Sequence, residues 1–484
     1  MNENTLPESF LDEFGYIHYR GDFIARGGFG AVFRVRADQD LAVKIAARDG
    51  VFITGQDEVK ARLGQFMKLR LLQLPPRLKL AAPVALLTDY AGYVMYLLNG
   101  MVSFEKAFLT PADESPEALK NIPEWLSKYN ARQALEILQY ASSGGLRRRL
   151  AALSKCAALL ARLHGAGLVY GDISDNNVFI SGEQTEDQVW LIDADNLWFE
   201  AADGTAVGTP GYWAPEIEKG QDCCRQASDA YAFAVLAYRT LALIFPFDGV
   251  KAQNEGGWDE DDWDNDNGGD LPWVDDPEDS SNRAIWGIPR DWLLNPQLFE
   301  LFRRTFGLDR NNSVWRPLIF HWPEALARAA DQTVRCNSCL MSFYYEDRKT
   351  CRFCGAALSV VVVKAYEWQG GELPTEPCWR YAAETAPDCP TAVPSRLLGY
   401  SNAMNNENIM EINISSSEVT LFPRAETVFH RCLPGCGDEF TRITPDIIHR
   451  FKIETESNPR FAIYAEGDQP RLLICSVYVW KGDA

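Results

Sequence analysis

The sequence predicts an α+β protein built from several units, and three features of the residue pattern lead there. Short apolar and β-branched runs with one helical segment occupy residues 16–100, a helical pattern runs from 101 to 331, and alternating runs return after paired cysteines at 334–358. At 484 residues, and roughly 150 residues per domain, the chain has room for about three units. Hydrophobic residues make up 46% and charged residues 24%, ordinary values that exclude global disorder and fibrous repeats.

Taken in order, residues 16–100 predict a small sheet with one helix, Asp57 to Leu74, stopped by Pro75-Pro76. Within 101–331, Leu146 to His164 is amphipathic and Ser228 to Phe245 is apolar nearly all round, as a central core helix requires. An acidic insertion at about 252–283 interrupts this region. Beyond 359, runs such as Ser359 to Ala365 and Leu472 to Val479 predict strands, so 359–484 is read as a β-rich domain of unassigned role.

Charge narrows the function. The balance is 47 basic against 67 acidic residues, a net −20, and twelve of the acids fall between Glu255 and Asp279, leaving about −8 for the rest. No long basic patch is present to neutralise phosphates, so a primary nucleic-acid binder is not expected. The acidic N-terminus lacks a basic start followed by an apolar stretch, which argues against a secretory signal and for a cytoplasmic protein. The apolar run Ala230 to Phe247 is broken by Arg239 and Thr240, which suits a buried helix better than a membrane span. Twelve cysteines in such a chain point to metal ligands and buried thiols over disulfides.

Four segments carry chemistry. Ala25 to Val32 reads ARGGFGAV and is followed by LAVKI, which contains Lys44. Glycines let backbone N–H groups approach phosphate oxygens, and a fixed ammonium pairs with phosphate charge, although a plain hairpin with a surface lysine has the same letters. LHGAGLVYGDISDNNVFI places Asp172 five residues before Asn177. A carboxylate that orients a hydroxyl and an amide oxygen that suits Mg²⁺ are what phosphoryl transfer needs; an Asp/Asn-rich turn is the bland alternative. VWLIDADN ends an apolar strand in Asp193, a rigid and open place for a metal ligand. Finally, Cys336, Cys339, Cys351 and Cys354 form C-x2-C-x11-C-x2-C, the spacing of a closed tetrahedral Zn²⁺ site, with Arg335, Arg348, Lys349 and Arg352 nearby to offset the thiolate charge.

With GTPGYWAPE (Gly208 to Glu216), Asp229 and Arg316, these segments resemble a bacterial-type serine/threonine protein kinase with a C-terminal zinc ribbon, over roughly residues 16–358. The group is similar to kinases found beside a von Willebrand A-type protein and a metal-dependent phosphatase. The resemblance implies a two-lobed kinase-like fold, with an N-lobe at 16–100, a C-lobe at 101–331 and the ribbon at 334–358. It implies ATP, Mg²⁺ and Zn²⁺ as cofactors and a protein substrate. Gly27, Gly28 and Gly30 would form the glycine-rich loop with Lys44 as its lysine. Val32 and Ala42 would cover the adenine, Glu58 would pair with Lys44, and Met95 would precede a hinge at Tyr96 to Leu98. Asp172 would be the base, Asn177 and Asp193 the Mg²⁺ ligands, and Asp195, standing where glycine is usual, either a further ligand or a loop cap. Asp229 would anchor the catalytic loop, and Glu216 would pair with Arg316.

Departures are equally informative. Tyr170-Gly171 replaces the usual His-Arg, so no arginine there can receive a phosphorylated loop, and activity independent of Thr205 or Thr209 phosphorylation is expected. Ala25 stands at the first glycine and Ser174 where a lysine is usual. Gly171-Asp172 and Asp193 to Asp195 also resemble small-molecule kinases of the aminoglycoside type, and a pseudokinase scaffold is the third reading. His164 is read as a core or helix-end residue. Cys378, Cys389, Cys432 and Cys436 are read as ordinary thiols more readily than as a second metal site. Residues 262–273 fail as a calcium loop because Trp273 stands where a glutamate is needed, so the acidic insertion is read as a solvated segment that Trp258, Trp263 and Trp273 could dock.

Overall fold

The computed structural model describes residues 6–27, 30–48, 50–184, 187–201, 204, 206–254, 271–385, 389–399, 407–414, 418–423, 429–432, 441–443, 448–452, 460–465 and 470–478. Its first unit is a curled antiparallel sheet of β1 (Ser9–Leu11), β2 (Ile17–Gly27), β3 (Gly30–Val35), β4 (Leu41–Arg48), β5 (Val51–Phe52), β6 (Ala85–Leu86) and β7 (Gly92–Tyr96). The order is β1-β2-β3-β4-β7-β6 with β5 on β4, so the sheet begins before residue 16. One face buries Phe10, Phe33, Val43, Ile45 and Val94; the other receives helix α1 (Gln56–Arg70) through Val59 and Phe66. The Phe66 ring meets Tyr93 edge-on at 4.9 Å and seats the helix on β7. The helix ends at Arg70, ahead of the Pro75-Pro76 stop.

Register sets the cleft face of this sheet. Val32 pairs with Lys44 and Lys44 with Tyr93, while Ala42 pairs with Met95. Because side chains alternate across a strand, these five share one face in two adjacent rows.

The helical unit contains α2 (Pro116–Lys120), α3 (Ala131–Ser142), α4 (Gly145–Gly165), α5 (Pro215–Glu218), α6 (Gln226–Ala242), α7 (Val250–Asn254), α8 (Pro296–Phe306) and α9 (Trp322–Asp331). Caps place their starts: Asn130 accepts from Gln133 N at 2.9 Å, and Asn295 accepts from Leu298 N at 2.9 Å with Pro296 in the first turn. Helices α4, α6 and α9 share one core with Trp273, Phe302 and Trp322. Arg149 of α4 is buried within it, stacked on Tyr140 at 3.8 Å and donating to the carbonyls of Phe108, Tyr140, Gly145 and Thr240. Two small antiparallel sheets carry the loops above these helices: β8 (Met101–Ser103), β10 (Val178–Ser181) and β11 (Val189–Leu191) form one, β9 (Leu168–Val169) and β12 (Trp198–Phe199) the other.

The acidic insertion is smaller than its composition suggests. Residues 255–270, Trp258 and Trp263 among them, lie outside the described residues, but Leu271, Trp273 and Val274 are core, and Tyr238 and Arg290 both bind Asp275. The solvated reading therefore fails for 271–275. Trp273 is fully buried in the core, and burying a large apolar side chain stabilises by about 1.5–3 kcal/mol.

The cysteine segment adds β13 (Thr333–Arg335) and β14 (Ser342–Tyr344), packed on α4 through Ser342, whose Oγ accepts from Arg147 N at 3.0 Å. Beyond it come β15 (Val360–Glu367), β16 (Trp379–Glu384), β17 (Thr391–Pro394), β18 (Asn408–Ile414), β19 (Glu418–Pro423), β20 (Phe429–Cys432), β21 (Thr441–Ile443), β22 (His449–Lys452), β23 (Arg460–Ala465) and β24 (Arg471–Tyr478). They form two antiparallel sheets, β16-β15-β24-β23-β20-β21 and β17-β18-β19-β22, which share a core of Val361, Val363, Ile412, Leu421, Leu473 and Val477. Ala327 of α9 joins that core. Beside it, Asp331 at the end of α9 accepts from Trp379 Nε1 at 2.8 Å and from Arg396 Nε at 2.7 Å.

Candidate active site

The site lies where the sheet unit meets the helical unit. Lys44 on β4 reaches across with its ammonium 2.5 Å from Asp193 Oδ1 and 2.9 Å from Asp195 Oδ2. Burial alone would lower this ammonium, but Asp195 and Asp193 together outweigh it and hold it well above the ordinary lysine range. Asp193 follows β11 in the left-handed conformation, φ 56° and ψ 59°, which aspartate tolerates better than most residues. Its side chain keeps 24% of its surface, against 2% for Asp195.

This geometry bears on two sequence expectations. Glu58, in the first turn of α1, pairs with Arg48 at 2.8 Å on the exposed rim, not with Lys44. The residue that α1 turns toward the site is Arg62, one helical turn later, whose Nη2 lies 3.5 Å from Asp195 Oδ2. Asp195 in turn has both carboxylate oxygens engaged: Tyr93 OH donates to its Oδ1 at 2.8 Å and Lys44 to its Oδ2.

The opposite wall is the loop between β9 and β10. Asp229, buried at the start of α6, accepts from Tyr170 N at 2.7 Å and Gly171 N at 2.9 Å and contacts His164 Nε2 at 3.0 Å. The core reading of His164 therefore gains a partner that the sequence did not reveal. Gly171 has φ +83°, and a Cβ there would lie 2.9 Å from the Trp198 ring, so the arginine usual at this position has no room. Asp172 accepts from Thr209 Oγ1 at 2.8 Å, and Asn177 Nδ2 donates to the Asp172 carbonyl at 2.9 Å. Burial raises the Asp172 carboxyl and the nearby Asp193 charge adds to this, while the Thr209 hydrogen bond opposes both. Below the loop, Arg316 forks onto Glu216 with contacts of 2.7 and 2.9 Å and lies 4.9 Å from the Tyr231 ring.

The residues expected on the nucleotide side fall as follows. Val32, Ala42 and Met95 share the cleft face of the sheet with Lys44, and Tyr96 is exposed at the end of β7, ahead of Leu98. Gly27 closes β2 opposite Gly30; Gly28 lies outside the described residues, as does Thr205. Gly30 has a packing role as well, since a Cβ there would sit 2.4 Å from the Ile45 carbonyl. The acid and amide oxygens of Asp193 and Asn177 are hard donors that fit Mg²⁺, and when bound such an ion neutralises phosphate charge.

The sulfur atoms of Cys336, Cys339, Cys351 and Cys354 all lie within 4.8 Å of one another, a tetrahedral-scale cluster that fits Zn²⁺. Backbone N–H groups of Ser338 and Phe353 each point at a sulfur from 3.4 Å, which stabilises thiolate charge. Among the other cysteines, Cys378 donates to the Ala365 carbonyl at 3.2 Å and contacts Arg471, while Cys436 lies outside the described residues.

No protein-family profile matches the chain. Part of it is similar to serine/threonine-protein kinase pkn2 of Myxococcus xanthus, 36% identical over 115 residues, covering 22% of this chain and 14% of that protein. Serine/threonine-protein kinase PknG of Mycobacterium leprae is 40% identical over 95 residues, 20% of this chain and 11% of its own length. Protein kinase C-like 1 of Saccharomyces cerevisiae is 33% identical over 90 residues, 18% and 8% respectively. The matched stretches thus span a small fraction of each relative. Among the described residues no helix is long and apolar enough to cross a membrane.

Proposed function

We propose that this chain is an ATP- and Mg²⁺-dependent protein kinase that transfers the γ-phosphoryl group to serine or threonine hydroxyls of a protein substrate. The observation that carries this reading is the contact of Lys44 with Asp193 across the two units, opposite Asp172. It brings a phosphate-pairing ammonium, a carboxylate suited to a divalent ion and a candidate base to one cleft.

In the reaction so read, the acceptor hydroxyl oxygen bonds to the γ-phosphorus as the bond to the ADP oxygen breaks, and Asp172 takes the hydroxyl proton. Lys44 orients the phosphates, Asn177 and Asp193 would hold Mg²⁺, and the row of Val32, Ala42 and Met95 offers the adenine an apolar wall. The Glu216–Arg316 fork beneath Gly208 to Trp213 supports a platform for a polypeptide acceptor. The cysteine cluster would hold Zn²⁺ structurally, and with the C-terminal sheets it would dock the substrate or partners, including those expected from the resemblance.

Small-molecule phosphorylation is the second reading, favoured by Gly171-Asp172 and by the paired acids Asp193 and Asp195. Radiolabelled ATP offered with a protein acceptor and, separately, with aminoglycosides tests the choice. Label on seryl or threonyl residues supports the proposal; label on the small molecule alone rejects it.

A further inference from the structure

We infer that Asp195 is the positioning carboxylate of Lys44, clamped by Tyr93 and Arg62, so that the ammonium is held from the loop after β11 and not from helix α1. The inference rests on the kinase reading above and adds to it a division of labour between the two acids.

Lys44 Nζ touches both carboxylates, but they are not equivalent. Asp193 is the more exposed, and Lys44 lies 2.5 Å from its Oδ1, so an ion held at that oxygen would compete with this ion pair. Asp195 has no such freedom. Its Oδ1 accepts from Tyr93 OH at 2.8 Å, and its Oδ2 lies 2.9 Å from Lys44 and 3.5 Å from Arg62. A carboxylate buried to this extent is tolerated only while its charge is matched, and removing a partner from such a group is strongly unfavourable. Asp195 therefore stays on Lys44 when Asp193 turns to an ion.

Helix α1 cannot do this work. Its first-turn acid, Glu58, is committed to Arg48 on the rim, and the position that faces the site carries a cation, Arg62, 5.0 Å from the Phe66 ring. The charges are thus exchanged between helix and loop: the acid sits on the loop and the base on the helix. An exchange of this kind is testable by reversing it.

The test compares phosphoryl transfer by wild type, Asp195→Asn, Asp195→Gly and the double variant Asp195→Gly/Arg62→Glu, with thermal unfolding as the folding control. For Asp195→Asn, kcat is expected to fall about tenfold or more while KM for ATP moves less than about threefold, with an unchanged Mg²⁺ requirement. The double variant is expected to regain at least about threefold over Asp195→Gly, because the carboxylate returns to Lys44 from the helix side. Wild-type kcat in Asp195→Asn, a shifted Mg²⁺ requirement, or no recovery in a folded double variant each overturns the inference. If the glycine variants do not fold, the isosteric Asp195→Asn decides alone. A folded wild type that transfers no phosphate sinks the kinase reading itself, an outcome distinct from these.

Discussion

Thr209 donates a 2.8 Å hydrogen bond to Asp172 Oδ1, tying the segment before α5 to the loop that carries the candidate base. Burial raises the Asp172 carboxyl, and this hydrogen bond opposes the rise by favouring the charged form. The base works ionised, so activity is lost as pH falls through its pKa. Thr209→Val removes the opposing contact, and the acid limb of kcat/KM is expected to move to higher pH, with kcat lowered even on the plateau. A pH–rate profile checks both; an acid limb that stays in place or moves down contradicts the role.

Glu58 is expected to be dispensable. Its partner Arg48 is exposed, and exposed pairs contribute about 0–1 kcal/mol. Glu58→Ala should alter kcat/KM less than about twofold, whereas Lys44→Met should lower it by about a hundredfold or more. Steady-state kinetics on the two variants checks this, and a large Glu58 effect would return the lysine's partner to the helix.

Two buried ion pairs away from the chemistry are expected to matter for stability. Removing one partner strands a buried charge, at a cost of about 3–5 kcal/mol. Glu216→Ala strands Arg316, which also donates to the Ala227 carbonyl at 2.8 Å. Asp331→Ala strands Arg396 and leaves Trp379 Nε1 without its acceptor. Urea unfolding should register both losses, the first in the helical unit and the second as looser attachment of the C-terminal sheets. Unchanged midpoints would contradict the accounting.

The four-cysteine cluster is expected to bind one Zn²⁺ per chain. Metal released on denaturation should be stoichiometric, and Cys339→Ser should lower it and destabilise the segment around β13 and β14. Metal-free protein with an equally stable segment would remove the assignment.

What could be read from the residues was mostly local. The zinc spacing, the apolar α6 and the order of Lys44, Asp172, Asn177 and Asp193 are contiguous patterns with a fixed period or interval. Partner choice was harder to read, because it depends on which turn of a helix faces a cleft. Glu58 and Arg62 lie four residues apart on one side of α1, and the resemblance alone favoured Glu58 as the lysine's partner. Only the placement of Asp195 between Lys44, Tyr93 and Arg62 reverses that choice. Composition misled at 271–275, where acidic neighbours hide a buried tryptophan. The attachment of the C-terminal sheets through Asp331 joins residues too far apart in sequence for any periodicity to connect.

The most direct measurement is transfer of the γ-phosphate from radiolabelled ATP, at millimolar Mg²⁺, to a protein acceptor by the wild type and by Asp172→Asn. Label appearing on seryl or threonyl side chains with the wild type, and reduced by about a hundredfold or more with Asp172→Asn, is the expected result. A folded wild type that transfers nothing and takes up no nucleotide, or an Asp172→Asn protein as active as the wild type, would contradict the account.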